Sequence, residues 1–506
     1  MRLHITPLGS QRMVRMPLPI KKPLPNGRGS DQSRDRKGAI ILRGRATSVG
    51  GCRWLTRAAL LGAAILAAHA QDTRNVTEPV IPPGCAVLTA KLAGFDSNKT
   101  LAEADEGKLD TARIQQAMDT CAKGQAVVLK TDGARNAFLT GPLDLKPGVT
   151  LVVDAKTILF GSRDAKVYEV SPGSCGIVSP AGRGCRAMIN GTGVSGAGVM
   201  GDGTIDGRGW AKVLGKNVSW WDLAEEARKG GNQNCPRILV LNRCDNFTLY
   251  RIALKNSGNF HVAYSRGNGF TAWGVVIDTP KNARNTDGID PGSSTNVTIA
   301  HCYIKTGDDN VAIKAGGHCS HMTIAHNHFY TGHGMSIGSE TNGGVSALHV
   351  FDLSLDGPDS GIRIKSMGTR GGLVHDIVYD DICIRNSGRP IDITAAYAAN
   401  GPVKGNSPPT FRDITLHNVR VSGGGKILLD GYDHEHRAQV LLDGVYLMDA
   451  ADPSKPYTYT FDNADVTYGP GGSNLQIPAG TDATITGKPS AVKAASCADK
   501  FVPFPQ

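Results

Sequence analysis

Four short clusters of polar and charged residues recur along the chain at nearly regular intervals. They are Asn285-Thr286-Asp287, Gly307-Asp308-Asp309, Gly332-His333-Gly334 and Arg363-Ile364-Lys365. Crowded carboxylates suit hydrolysis of a sugar acetal, because one carboxyl group must stay protonated while another activates water. An Arg and a Lys beside them suit a substrate that carries its own carboxylate. The clusters therefore predict an enzyme acting on an acidic polysaccharide.

The spacing of the clusters predicts how they converge. The steps between Asp287, Asp308, His333 and Arg363 are 21, 25 and 30 residues. Each step is about one coil of a stacked β structure, so the clusters should lie side by side on one outer face. Arg363 and Lys365 are two positions apart in a strand and should point the same way, with the Ile between them in the core.

Self-similar segments indicate which fold provides these coils. They start 25 to 37 residues apart and carry alternating apolar residues; they are Asn296–His301, His321–His326, Ala347–Asp352, His375–Asp380 and Arg412–His417. Repeats at this interval are typical of solenoids, and the irregular period argues against a propeller. We predict an all-β fold, a single-stranded right-handed parallel β-helix, with nothing helical between its strands.

One helix is expected near the start. The segment 111–121 follows Asp110, a plausible N-cap, and has apolar residues at i, i+3, i+4 and i+7, namely Ile114, Ala117, Met118 and Cys121. A solenoid needs a cover for its open end, so we expect this short helix to cap the β-helix.

The positive charge of the chain is concentrated in its leader. Residues 1–70 contain 13 Lys and Arg against two acids, whereas the remainder has 42 basic and 43 acidic residues. The composition therefore gives no support to a nucleic-acid or membrane-surface partner.

A secretory signal is predicted at 53–70. Basic Arg53–Arg57 precedes the apolar run Ala58–Ala68, which at eleven residues is too short to span a bilayer. We expect cleavage before Gln71 and a secreted protein. The expected division is a basic extension or mis-assigned start (1–52), the signal (53–70), an N-terminal cap region (71–144), the β-helix (145–490) and a C-terminal tail (491–506).

Ten of the eleven cysteines follow the leader, and Cys52 lies within it. An even number in an exported chain favours disulfides. Cys175/Cys185 and Cys302/Cys319 are candidate pairs, with buried free thiols as the alternative.

The segment from Trp220 to Tyr397 resembles glycoside hydrolase family 28, the polygalacturonases, and within it the bacterial endopolygalacturonases. Besides the four clusters, the resemblance rests on Asn246-Phe-Thr-Leu-Tyr, Asn259-Phe-His-Val, Gly269-Phe-Thr-Ala-Trp, Ala283-Arg-Asn-Thr-Asp-Gly-Ile-Asp, Thr306-Gly-Asp-Asp-Asn-Val-Ala-Ile-Lys and Thr331-Gly-His-Gly-Met-Ser-Ile-Gly-Ser-Glu. It covers roughly residues 85 to 450. It implies hydrolysis of α-1,4-galacturonosidic bonds in polygalacturonate, endo-acting and inverting.

The resemblance also implies roles at the matching positions. Asp308 resembles the general acid, Asp287 and Asp309 the pair that holds and deprotonates the attacking water, and His333 the histidine that supports the acid. Independently of the family, three crowded carboxylates cannot all ionise cheaply, so one pKa should rise and supply the acid. Neighbouring coils could give the short carboxylate separation of a retaining enzyme, yet a pair of aspartates on water leaves no single nucleophile.

Substrate-binding residues follow from the same resemblance. Arg363 and Lys365 resemble the residues that grip a galacturonate carboxylate. Tyr397 resembles the tyrosine lining a subsite, and Asn285 is placed with them. No cofactor and no metal are expected, and the protein is expected to be a monomer.

Several alternatives stay open. They are exo-cleavage or a substituted pectin backbone, a calcium-dependent pectate lyase, and a non-catalytic β-helical polysaccharide-binding protein. The segment Gly196–Gly201 has dinucleotide-fingerprint spacing, but a strand pattern follows it where that site requires a helix.

Overall fold

A computed structural model of the chain describes residues 71–94, 100–398, 404–448 and 454–505. The predictions for the extension 1–52, the signal 53–70 and Cys52 lie outside these residues. Within them, no helix combines the length and the apolar character that crossing a membrane requires.

The described chain folds into stacked parallel strands, which confirms the β-helix. Sheet 1 has eleven described strands: Leu143–Asp144, Ile189–Thr192, Leu239–Asn242, Val262–Ser265, Ile289–Gly292, Val311–Ile313, Met335–Gly338, Ser360–Lys365, Arg389–Thr394, Gly425–Asp430 and Tyr457–Asp462. Each pairs in parallel with the strand of the next coil, so residues one coil apart in the chain become neighbours.

Sheet 2 supplies the other walls of the coils. Its 23 described strands are Gly84–Thr89, Gln125–Lys130, Ala137–Thr140, Val149–Val153, Ile158–Gly161, Gly198–Met200, Thr204–Asp206, Phe247–Tyr250, Ala253–Lys255, Asn268–Trp273, Val276–Asp278, Thr295–Ala300, Tyr303–Lys305, Cys319–Phe329, Val345–Asp356, Leu373–Val374, Ile377–Arg385, Thr410–Phe411, Ile414–Ser422, Ala438–Asp443, Tyr446–Leu447, Ala464–Tyr468 and Ala483–Thr486. A small antiparallel pair, Ile177–Ser179 with Asn232–Asn234, stands apart from both sheets. The ladder already includes Gly84–Thr89, paired with Gln125–Lys130, so strands upstream of residue 145 belong to it.

Rows of aliphatic side chains fill the interior. In sheet 1, Ile289, Val311, Met335, Ile362 and Ile391 stand in register on successive coils and are at most 1% exposed. Burying each such side chain contributes roughly 1.5–3 kcal/mol, so the rows fix the register of the coils.

The repeats turn a corner at matching positions. Five residues with left-handed backbone, φ between 51° and 56°, begin successive repeats: Asn296, His321, Ala347, Asp376 and Asp413. The last two repeats therefore start one residue later than the sequence comparison placed them. The sequence does not reveal this offset, because the residues just before the true starts, at positions 375 and 412, are polar as well. The backbone conformation does reveal it.

The N-terminal helix is present at Thr111–Thr120, with Ile114 and Met118 buried in the main core. Asp110 stands at its N-cap but does not cap it. One carboxylate oxygen instead accepts a hydrogen bond from the Leu139 amide at 3.1 Å, and the other pairs with Arg113 at 2.6 Å.

A second helix, Trp220–Glu226, was not predicted and contradicts the expectation of nothing helical between the strands. Ser219 and Asp222 form a capping box at its start, with the Ser219 oxygen accepting from the Asp222 amide. This short pattern is the sequence signal that was missed. Four 3₁₀ turns complete the elements of the described residues: Glu103–Asp105, Ala165–Tyr168, Ala227–Lys229 and Ala498–Lys500.

Three disulfides join described cysteines: Cys85–Cys121, Cys175–Cys185 and Cys383–Cys497. The predicted Cys175/Cys185 pair is confirmed.

The predicted Cys302/Cys319 pair is wrong, since both are buried free thiols, as are Cys235 and Cys244. Cys302 hydrogen-bonds to Asn327 of the next coil at 2.8 Å, eight residues further along the strand that Cys319 begins. That offset exceeds the roughly 7 Å that a disulfide spans between Cα atoms.

Candidate active site

The four clusters meet on one edge of sheet 1. Asp287, Asp309 and His333 each lie two residues before the start of a strand, and the paired residues at those starts are Ile289, Val311 and Met335. Arg363 and Lys365 lie in the next strand, with Ile364 turned into the core. The predicted one-coil spacing of the clusters is confirmed.

Asp309 is the most heavily neutralised carboxylate of the group. It is buried, and its oxygens lie 2.8 Å from Lys365 Nζ, 3.3 Å from Arg363 Nη1 and 3.7 Å from Lys314 Nζ. The hydroxyl of Ser336 donates to it at 2.7 Å. Burial alone would raise its pKa, but Lys365, Lys314 and Arg363 hold it well below the usual range. Asp309 is therefore ionised.

Asp308 forms a pair with His333. Nδ1 of His333 lies 3.0 Å from Oδ1 of Asp308, and the His333 amide donates to the Asp308 carbonyl at 2.9 Å. Burial opposes ionisation of Asp308, but the hydrogen bond to His333 lowers its pKa below the ordinary value. Burial would lower the pKa of His333, and the same contact with Asp308 raises it instead. Without substrate, the proton of this pair therefore rests on the imidazole.

Asp287 behaves differently from the other two. Its carboxylate is buried; Oδ2 accepts from Lys314 Nζ at 3.1 Å, while Oδ1 accepts no hydrogen bond from any described residue. Burial raises its pKa to about 7, against the opposing charge of Lys314. Of the three crowded carboxyl groups, the one whose pKa is raised is therefore Asp287, and not Asp308 as the sequence had suggested for the acid.

Arg363 and Lys365 are less accessible than the sequence suggests. Their side chains are only 9% and 5% exposed, and both contact Asp309. The ring of Tyr397 lies 5.4 Å from each cation, a cation–π arrangement. Tyr397 and the two cations form one wall of the cleft.

Asn285 links this group to the strand Asn232–Asn234. Its side chain accepts a hydrogen bond from Gln233 Nε2 at 3.1 Å and donates to Asp308 Oδ2 at 3.5 Å. Its backbone is left-handed with φ of 56°, a conformation that Asn tolerates better than most residues. Gln233 belongs to the small antiparallel pair that follows the unpredicted helix.

Lys314 and Asp359 also belong to the charged group. Neither residue was assigned a role from the sequence. Lys314 contacts Asp287, and Asp359 lies 3.5 Å from Nε2 of His333 and 2.6 Å from Lys281 Nζ. Lys314 is the last residue of the motif that begins at Thr306 and contains Asp308 and Asp309. Its place in that motif was the sequence feature that could have identified it. Nothing in the sequence marks Asp359, because it lies in a loop outside the four clusters.

Glycines allow the coils to approach here. A Cβ on Gly307 would lie 2.1 Å from the carbonyl oxygen of Ala283, and one on Gly334 would lie 2.1 Å from that of Ser360. Gly334 also has φ of 75°, which other residues rarely adopt. Both glycines therefore keep the catalytic turns close together.

Asp308, Asp309 and His333 offer donor atoms within 4.8 Å of one another, a spacing that a metal ion would accept. The surrounding charges oppose that use, however. Two ammonium groups and a guanidinium already surround Asp309, and His333 directs Nδ1 at Asp308. This donor set suits proton transfer better than binding of a divalent cation.

The charged group opens into a cleft of about 770 Å³. Its lining includes the aspartates, Lys314, Lys365 and Tyr397, together with Phe260 and Asn232. An adjoining space of about 580 Å³ contains His333, Asp359, Lys281 and Arg284. The cleft is mainly polar, and its cations Lys314, Lys365 and Arg370 offer positive charge to an anionic polymer beside the acidic residues of the lining.

A parallel β-helix with carboxylates and cations gathered in one such cleft defines the class: this protein is a β-helical glycosidase. The profile of glycosyl hydrolases family 28 matches residues 134–467, and the chain belongs to that family.

Known relatives agree with this assignment. An endo-polygalacturonase of Pectobacterium carotovorum subsp. carotovorum is 43% identical over 77% of this chain and 92% of its own. A polygalacturonase of Ralstonia nicotianae is 38% identical over 88% of this chain and 96% of its own. The solved polygalacturonase from Erwinia carotovora ssp. carotovora superposes with a TM-score of 0.64 at 39% identity, covering 84% of this chain and 100% of that one.

Proposed function

We propose that the protein hydrolyses α-1,4-galacturonosidic bonds of polygalacturonate and cuts within the polymer. The observation that carries the proposal is the placement of Asp308 and Asp309, with donor atoms within 4.8 Å, beside Lys365 in a polar cleft. The names of the similar proteins support the substrate, and those with the greater identity support internal cutting.

In the proposed reaction the oxygen of a water molecule bonds to the anomeric carbon while the glycosidic C–O bond breaks. Asp308 gives its proton to the departing glycosidic oxygen. Asp287 takes a proton from the attacking water, and Asp309, held ionised by its cations, orients that water. The products are two shorter galacturonans, and the proton lost by Asp308 is balanced by the one gained by Asp287.

His333 supplies the proton that Asp308 needs. In the empty site the proton rests on the imidazole, 3.0 Å from the Asp308 oxygen. Transfer across this contact leaves neutral His333 and protonated Asp308, ready to donate. The raised pKa of His333 keeps this proton available near neutral pH.

Arg363 and Lys365 would meet a galacturonate carboxylate without releasing Asp309. The Lys365 ammonium has three donors, of which one is used on Asp309, and the guanidinium of Arg363 has five. Tyr397 packs on both cations and forms the wall of this subsite, and Asn285 donates a hydrogen bond to Asp308 nearby.

We propose inversion at the anomeric carbon. Two aspartates share the water, and neither is placed as the single nucleophile that a retaining enzyme needs. An NMR spectrum of the first-formed product distinguishes the outcomes, since the α-linked substrate should yield a β-anomer.

The decisive experiment compares viscosity with reducing ends during digestion of polygalacturonate. Internal cutting lowers the viscosity sharply while few bonds are broken. Slow viscosity loss with steady release of small products would mean exo-cleavage instead.

We also propose export with cleavage before Gln71 and a monomeric state. Of the expected segments, the β-helix begins at the strand Gly84–Thr89 rather than at residue 145. The three disulfides support an oxidising destination. N-terminal sequencing of the mature protein tests the cleavage, and a start upstream of Arg53 would overturn it.

A further inference from the structure

Lys314 occupies a fixed place between two catalytic carboxylates. Its Nζ lies 3.1 Å from Asp287 Oδ2 and 3.7 Å from Asp309 Oδ2, and 5.5 Å from the ring centre of Phe260. Its amide donates to the Pro291 carbonyl at 2.8 Å. Lys314 follows the end of the strand Val311–Ile313, and its side chain is 24% exposed and lines the cleft.

A fourth carboxyl group, Asp290, lies behind Asp287. It is 4% exposed, and neither of its oxygens accepts a hydrogen bond from the part of the chain that the structure describes. It stands in the strand Ile289–Gly292, whose last residue bridges to Lys314. Asp287 and Asp290 are therefore two buried carboxyl groups that cannot both ionise cheaply.

We propose that Lys314 is a positioning residue for hydrolysis: its ammonium group places the negative charge on Asp287 rather than on Asp290 and aims that carboxylate into the cleft. Asp287 is then the group that accepts the proton of the attacking water. This inference rests on the proposed polygalacturonase function. It states which carboxyl group of the proposed active site carries the negative charge.

The charges around Asp287 set the direction of the effect. Lys314 and Lys365 favour its ionised form, whereas burial and the charges of Asp308 and Asp309 oppose it. Burial raises the pKa of Asp290 well above the ordinary value and Asp287 raises it further, against the charges of Lys314 and Arg237. Lys314 hydrogen-bonds to Asp287, whereas neither oxygen of Asp290 accepts a hydrogen bond from a described residue. Removal of the Lys314 charge raises the pKa of Asp287, so the base is ionised only at higher pH.

The test measures kcat and KM of Lys314→Met and Lys314→Arg on polygalacturonate from pH 4.5 to 9. For Lys314→Met we expect the acid limb of kcat to move up by about one pH unit, a roughly tenfold loss below the limb that is regained at high pH. Lys314→Arg keeps the charge and should keep the limb. An unmoved limb with only a higher KM would show that Lys314 merely contacts substrate and would overturn the proposal.

A second measurement tests the proposal even if the Lys314→Met variant does not fold. Infrared difference spectra at pH 8 of wild type, Asp290→Asn and Asp287→Asn report which carboxyl group is protonated. We expect Asp290→Asn, and not Asp287→Asn, to remove a protonated-carboxyl band. The reverse result would overturn the charge distribution. Failure of the polygalacturonase function itself is recognised separately, because wild type would then release no reducing ends at any pH.

Discussion

Lys365 Nζ lies 2.8 Å from Oδ2 of Asp309, although the two residues are 56 positions apart in the chain. Both side chains are at most 5% exposed. A buried charge pair of this kind is stabilising only when further contacts satisfy it, and Arg363, Lys314 and Ser336 provide them. The turn that contains Asp308 and Asp309 is thereby held in place by Arg363 and Lys365, the same cations that we propose bind the substrate.

Lys365→Met should impair both catalysis and the stability of the fold. Removing the charge leaves Asp309 with weaker compensation, so we expect kcat/KM to fall at least about 100-fold and stability to fall by about 1–3 kcal/mol. Steady-state kinetics and thermal melting measure the two effects. Lys146→Met is a matched control, because Lys146 is 43% exposed and pairs only at the surface. Unchanged melting would contradict the structural half of the prediction.

Asp308→Asn should abolish proton donation while preserving the fold. Loss of a general acid lowers kcat by about 10²–10⁴-fold. Activity and circular dichroism are measured together, with Asp132→Asn, a 45% exposed carboxylate, as the control. Retention of near wild-type kcat by Asp308→Asn would remove Asp308 from the role of acid.

Asp287→Asn should change stability in a pH-dependent way. The pKa of Asp287 is about 7 in the folded protein, against about 3.9 in an unfolded chain, so its stabilising effect is complete below pH 4 and is lost as the pH rises through 7. The Asn side chain of the variant does not titrate, so the variant does not lose stability in this way as the pH rises. We expect it to melt above wild type at pH 8, with the difference shrinking at pH 4.5. An equal shift at both pH values would refute the assignment.

The disulfide between Cys383 and Cys497 should stabilise the C-terminal tail. It links residues 114 apart in the chain, a loop for which the chain-entropy argument gives about 4–5 kcal/mol. Lys500, just beyond it, lies 2.9 Å from Asp381. We expect Cys383→Ser/Cys497→Ser to melt at a lower temperature with kcat preserved. Cys302→Ala serves as the control for removing a buried thiol; an equal loss in both variants would argue against the cross-link effect.

A chelator should leave activity intact. The proposed steps use only proton transfer among Asp287, Asp308 and His333, and a calcium-dependent lyase would lose its activity. The assay follows reducing ends with and without EDTA, alongside the absorbance of unsaturated products. Loss of activity restored by calcium, with unsaturated products, would favour elimination.

Much of this site was predictable because a β-helix converts sequence period into proximity. The apolar alternation around Ile289, Val311 and Met335 indicates stacked coils, and the 21- to 30-residue steps place the clusters on one edge. The helix at Trp220–Glu226 was missed because its capping signal spans only four residues. The Cys302/Cys319 pairing failed because closeness in sequence says nothing about position along a coil.

The order of residues sets the identity of the acids and cations, the periodicity that stacks them and the family to which the chain belongs. Folding assigns their charges. Asp287, Asp308 and Asp309 look alike in the sequence, yet burial raises the pKa of the first while the contact with His333 lowers that of the second. The difference arises from burial and from neighbours contributed by other coils, such as His333 beside Asp308 and Lys365 beside Asp309, whose distances exist only once the coils are stacked.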